Sequence, residues 1–225
     1  MSGATGLRRF RRPPAEPPAA APAAGPVAGP AASPAGQRPA RERCEICDRP
    51  IGSAHGHLVD VHIRGLMCAC RHCYLLFTQE GSAGGRLRAV PDRYLYDPSF
   101  TLTDDQWERL QIPVGMAFFF RNSALDRFAA FYPSPAGATE SLLPAGVWSE
   151  ILAANPAVPD PEPDVEALLL RRREGRVDCH LVPIDACYDL VGRVRTHWRG
   201  FAGGAEAWQE IEDFFARLRE RSRTP

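Results

Sequence analysis

The stretch that decides the fold runs Cys44-Glu-Ile-Cys47, Leu58-Val-Asp-Val-His62, Arg64-Gly65-Leu66-Met67-Cys68 and Cys70-Arg-His-Cys73. Two Cys-x-x-Cys pairs stand 22 residues apart, and Cys68 adds a fifth sulfur beside the second pair. Sulfurs two residues apart let one tight turn aim both at a single ion, with backbone N–H groups pointing at them. Two such turns close a tetrahedral shell of four thiolates. Between them, Leu58–His62 alternates apolar and polar as a strand does. Arg64-Gly65 supplies a turn and Leu66–Cys68 a returning strand. The result is knuckle, hairpin, knuckle: the plan of a zinc ribbon.

Cys44, Cys47, Cys70 and Cys73 are therefore the expected metal ligands. Cys68 is an alternative ligand to Cys70. Four histidines (His55, His57, His62, His72) lie inside the module. Of these His57 is the best placed to hydrogen-bond a thiolate from just outside the ligand shell. The favoured ion is Zn2+, the alternative iron in the same S4 site. Rubredoxin knuckles usually carry Gly after the second Cys, whereas Asp48 and Tyr74 stand there, and this favours zinc. A segment this short cannot hold itself with a core alone, and structural zinc supplies roughly 10–16 kcal/mol of apparent binding free energy. A closed S4 shell leaves no open position for chemistry, so no catalytic residue is expected from it.

Working outward, residues 1–40 are almost wholly Ala, Pro, Gly and Arg, a composition that cannot offset its ordering entropy and reads as a disordered tail. Residues 41–80 form the metal module and 81–225 an α+β domain. Leu87–Val90 and Arg93–Tyr96 read as short strands. Thr103-Asp-Asp-Gln106 is a capping box ahead of a short helix. Gly115–Arg121 and Phe128–Tyr132 read as one hairpin, Val165–Arg171 and Val177–Val182 as a second, with Gly175 in its turn. Pro133–Thr139 reads as a loop and Val147–Asn155 as a helix ended by Pro156. Cys187, Leu190, Val191, Val194 and Trp198 line one face of a helix. Trp208, Ile211, Phe215 and Leu218 line another. The expected architecture is the metal module followed by a small antiparallel sheet with helices packed on one face.

Composition excludes several functions. The formal net charge is +0, and all 27 basic residues are Arg. Without Lys there is no Schiff-base or phosphate-loop lysine, and neutrality argues against a dominant nucleic-acid footprint. No apolar run is long enough to span a membrane. The basic start at Leu7–Arg12 meets Pro13 and Pro14 where an export signal needs an apolar helix. A cytoplasmic location follows as the expectation, and in a reducing compartment clustered cysteines favour metal over disulfides. Cys179 and Cys187, near Asp178, His180 and Asp185, lack an oxyanion motif and read as packed thiols. Two surface stretches are candidate protein contacts: Ser134, Thr139 and Glu140 in the Pro-rich loop, and His197, Trp198 and Arg199 at a helix end.

The Cys44–Cys73 string, together with Ile112-Pro-Val-Gly-Met-Ala-Phe-Phe-Phe120, Phe131–Ser141, Leu181-Val-Pro-Ile-Asp185 and Arg195-Thr-His-Trp-Arg-Gly200, resembles an uncharacterised bacterial family, over roughly residues 42–222. That family, mainly actinobacterial, is typically encoded beside nickel–iron uptake hydrogenase genes. The resemblance implies a metal-binding accessory protein that assists assembly or maturation of such a hydrogenase, with its subunits or maturation factors as partners. An iron electron carrier for the same enzyme is the alternative. A zinc-ribbon regulator that binds nucleic acid is the third.

Overall fold

The computed structural model describes residues 42–79, 81–144 and 146–224. The Ala/Pro-rich stretch expected to be disordered lies outside them. Two antiparallel sheets organise the chain, and five α-helices accompany them among the described residues.

The smaller sheet contains β1 (Gly56–Asp60), β2 (Gly65–Ala69) and β3 (Leu87–Ala89), in the order β2-β1-β3. The β1–β2 hairpin is the expected one. Arg64 takes a left-handed φ of 53° at its turn. Asp60, buried at the end of β1, accepts from the backbone N–H of His62 and from Arg86 Nε at 2.8 Å, which locks the turn. The third strand comes from beyond residue 80, so the small sheet draws on chain assigned to the second unit.

The larger sheet has six strands in the order β4-β9-β8-β5-β6-β7. These are β4 (Leu95–Asp97), β5 (Met116–Asn122), β6 (Arg127–Ser134), β7 (Gly137–Ser141), β8 (Glu166–Arg173) and β9 (Arg176–Pro183). Both expected hairpins are present. Glu174 and Gly175 join β8 to β9 with φ of 45° and 75°, the paired positive values that a two-residue turn needs to match strand twist. Pro133–Thr139, expected as a loop, instead belongs to a third hairpin. Ser134 pairs with Gly137 across a two-residue turn, and β7 follows. The signal was masked by Pro133 and Pro135. Pro133 lies near the end of β6, beyond the pairing with β5 that stops at Phe131, and Pro135 lies in the turn, so neither removes a hydrogen bond of the β5–β6 ladder.

The helices cover both faces of this sheet, not one. Residues Ala167 and Leu169 of β8 face α4 (Ile184–His197) and α5 (Gly204–Arg221). Leu168 and Leu170 face α2 (Asp104–Arg109) and α3 (Val147–Ala154). The continuous run Ala167–Leu170 records this, since a strand covered on both sides is apolar on both. On the second face Trp148 of α3 stacks on Phe119 of β5, ring centroids 4.0 Å apart. Thr103 caps α2 through the expected box with Gln106. Asn155 ends α3 and ties it to Thr101 by accepting from its N–H at 2.7 Å and donating to its carbonyl at 2.9 Å.

The small sheet docks through the α4/α5 face of the core. Val59 and Val90 are buried in that cluster, with Val61 and Leu66 packed against it. Arg88 of β3 donates to Pro163 O and pairs with Glu162 in the loop before β8. The last residues return along β4, where Tyr96 N–H donates to Arg223 O at 2.8 Å.

Candidate metal centre

The first knuckle is a tight turn. Cys44 N–H donates to Arg49 O and Asp48 N–H to Cys44 O, both at 2.8 Å, and Asp48 adopts a left-handed φ of 58°. Arg43 grips the Asp48 carboxylate with two nitrogens at 2.7 Å each. The second knuckle begins at Cys70, the N-cap of α1 (Arg71–Leu76), and Cys73 lies in its first turn. Sequence reading found the knuckle here but not the helix, because six residues are too few to show a period.

Cys44, Cys47, Cys70 and Cys73 offer their sulfurs within 4.8 Å of one another. A zinc–sulfur bond of about 2.3 Å puts the edges of an S4 tetrahedron at about 3.8 Å. Cys47 Sγ and Cys70 Sγ stand 3.7 Å apart, which fits. Cys44, Cys70 and Cys73 are buried and Cys47 is exposed. Burial pushes the Cys44 thiol up, but the backbone N–H groups of Cys70, Cys47 and Ile46 outweigh it and bring it down to about 6. The N–H of Cys73 likewise lowers Cys70 against its burial. Burial and the neighbouring sulfurs raise Cys73 to about 12. Without an ion Cys44, Cys70 and Cys73 thus hold their protons with unequal strength, and a cation bound by the thiolates displaces protons. The set can hold a metal ion, and every position it offers is a protein sulfur.

Cys68 is not part of this set. Along the β1–β2 ladder Leu58 and Ala69 are fully buried against Cys44, Cys70 and Cys73. Strand alternation turns their neighbours His57 and Cys68, which pair across the ladder, to the other face. His57 therefore does not reach the thiolates. Its Nδ1 lies 2.7 Å from Asp185 Oδ2, in the first turn of α4. Asp185 stood out in the sequence only as a neighbour of Cys187. Nothing local marks it as a partner of His57, 128 residues away. Cys179 and Cys187 are buried, and burial holds the Cys187 thiol well above its ordinary range.

A family profile described as a family of unknown function, DUF5947, matches residues 43–222. The chain belongs to this family. No curated protein and no solved structure matches it. The matched span takes in both sheets, all five described helices and the four clustered cysteines.

The candidate contact residues are placed in two corners. Ser134 Oγ donates to Gly137 O and lies 3.0 Å from Thr139 Oγ1, which closes the β6–β7 turn, while Glu140 pairs with Arg127. At the end of α4, His197 Nδ1 donates to Arg193 O, Trp198 Nε1 to Gly200 O, and Arg199 to Thr196 O and Trp198 O. Each of the six makes a hydrogen bond or ion pair within its own corner of the fold. The same α4–α5 connection leaves Phe201 fully exposed and Trp208 partly so. Among the described residues no helix is long and apolar enough to cross a membrane.

Proposed function

We propose that Cys44, Cys47, Cys70 and Cys73 hold one structural zinc ion. In this reading the protein is an accessory factor that acts through protein contacts on a nickel–iron hydrogenase, during its assembly or maturation. The observation that carries the metal reading is the convergence of four cysteine sulfurs within 4.8 Å of one another, with Cys47 and Cys70 at the 3.7 Å of a tetrahedral edge; four thiolates suit zinc and leave no position for a reacting ligand. The contact reading is supported by Phe201 and Trp208 at the α4–α5 corner, since exposed aromatic side chains are the residues that interfaces bury. The hydrogenase as partner rests on the sequence resemblance alone.

Metal analysis and a visible spectrum of the full chain, purified aerobically, test the first part. Zinc in the wild type, one ion of which is lost in Cys44→Ser, supports it. A red protein with sulfur-to-iron absorption overturns it and favours the electron carrier. Tagged protein tests the second part by co-purification with hydrogenase subunits. Normal hydrogenase activity and cofactor loading after deletion overturn it.

A further inference from the structure

His55, His57 and Cys68 form a second convergent set on the face of the β1–β2 hairpin that looks away from the four cysteines. One ring nitrogen from each histidine and the Cys68 sulfur lie within 4.8 Å of one another. The hydrogen bonds decide which nitrogens are free. His55 Nδ1 is 2.8 Å from Gly52 O, to which it can only donate, and 3.6 Å from Glu42 Oε2. His57 Nδ1 is engaged by Asp185 Oδ2. Both Nε2 atoms then carry lone pairs.

His55 makes this more than a surface cluster. Its side chain is only 8% exposed, yet Nε2 is buried with no hydrogen-bond partner. A buried acceptor left unpaired forfeits its hydration without compensation and calls for an explanation. The histidine rings stand edge to face with centroids 4.7 Å apart, an arrangement that lets both nitrogens address one point. The Asp185–His57 pair is the carboxylate–histidine device that fixes the tautomer and orientation of a metal ligand and strengthens it as a donor.

From this geometry we infer that His55 Nε2, His57 Nε2 and Cys68 Sγ form a second metal site, oriented by Asp185. Two imidazoles and a thiolate suit borderline divalent ions of the zinc and cobalt class. Hard ions such as calcium and magnesium take oxygen ligands and are excluded. Three protein ligands leave a fourth position open. His57 and Cys68 are only partly buried, so that position reaches solvent. Unlike the S4 centre, this site accepts water or an exchangeable ligand. It does not depend on the S4 centre being zinc, nor on any partner.

Cobalt(II) alone, titrated into the metal-free full chain, tests the site. Two equivalents bind to the wild type. His55→Ala and Cys68→Ser each remove one of them and keep the S4 step with its intense sulfur-to-cobalt absorption. Asp185→Asn keeps both equivalents but weakens the second by about 10–100-fold. Uptake of a single equivalent by the wild type overturns the site, as does a second equivalent that survives both His55→Ala and Cys68→Ser. X-ray absorption of the zinc-loaded wild type decides the matter without variants, because imidazole scattering supports the site and an all-sulfur environment overturns it. Loss of the S4 step alone, with the His2Cys step retained, counts against the proposed structural centre and not against this one.

Discussion

The Nδ1 of His57 lies 2.7 Å from Oδ2 of Asp185, and this contact joins the cysteine-bearing hairpin to the first turn of α4. Each side chain keeps about a quarter of its surface in solvent, 23% and 27%. The bond is therefore partly screened, and Asp185→Ala is expected to cost about 1 kcal/mol, below the range for fully buried charged hydrogen bonds. The loss is local. Amide hydrogen exchange accelerates in β1 and β2, while β8 and β9 keep their protection. Equal acceleration in both sheets would show that the pair supports the whole core.

Removal of metal separates the two sheets more strongly. The cluster around the S4 set buries little besides Cys44, Leu58, Ala69, Cys70 and Cys73, too small a core to order the knuckles unaided. A strong chelator, or Cys44→Ser, is expected to release residues 42–79 to proteolysis and leave the six-stranded sheet folded. Val59 and Val90 sit in the larger core, so a modest drop in its melting temperature accompanies the release. Complete unfolding of the chain on chelation would place the metal at the centre of the whole fold.

How far the sequence announced this arrangement depends on the range over which each signal acts. The Cys-x-x-Cys turns, the Thr103–Gln106 box, the Glu174-Gly175 turn and the stripes of α4 and α5 are local patterns, and each is present, except that Trp198 caps α4 instead of lying within it and Trp208, expected on the α5 stripe, is exposed while Ala207 and Phe214 are buried. Strand alternation alone would also have excluded Cys68 from the S4 set once His57 and Cys68 were paired. That pairing requires the register, which the residues between them do not specify uniquely. The covering of both sheet faces was written in Ala167–Leu170 but overshadowed by the amphipathic terminal helices. Asp185 was beyond reach because its role depends on a contact 128 residues distant. The His55 site was hidden for a similar reason: four histidines in one module look alike until burial distinguishes one.

His180 carries a pH dependence of its own. It is 2% exposed in the centre of β9, against Tyr96 and Phe215, with Nδ1 3.4 Å from Ser222 Oγ. Burial lowers its pKa to about 4, with Asp178 opposing and Arg219 assisting. The unfolded chain binds this proton near pH 6.5, so between about 4 and 6.5 it holds more protons than the folded one. Stability is full above pH 6.5 and declines as pH falls towards 4, by on the order of 3 kcal/mol. His180→Phe is expected to flatten that slope in denaturant titrations run across the interval. An unchanged slope would assign the acid sensitivity to other groups.

Gly56 and Tyr74 set the spacing between the hairpin and the helix that carries Cys73. A Cβ on Gly56 would stand 2.5 Å from Tyr74 Cδ2 and 2.8 Å from Cγ. The ring cannot swing away freely, because its hydroxyl donates to Val90 O at 2.8 Å. Gly56→Ala must therefore push α1 outward, and α1 holds Cys73 directly and Cys70 at its cap. Overpacking of this kind costs about 1–3 kcal/mol, and here it also spreads the sulfurs. The expected outcome is faster loss of the S4 metal to a chelator, with the larger sheet unaffected. Tyr74→Ala in the same chain removes the obstructing ring and should restore metal retention towards that of Tyr74→Ala alone. If Gly56→Ala holds its metal as firmly as the wild type, the contact between the strand and α1 does not govern the sulfur geometry.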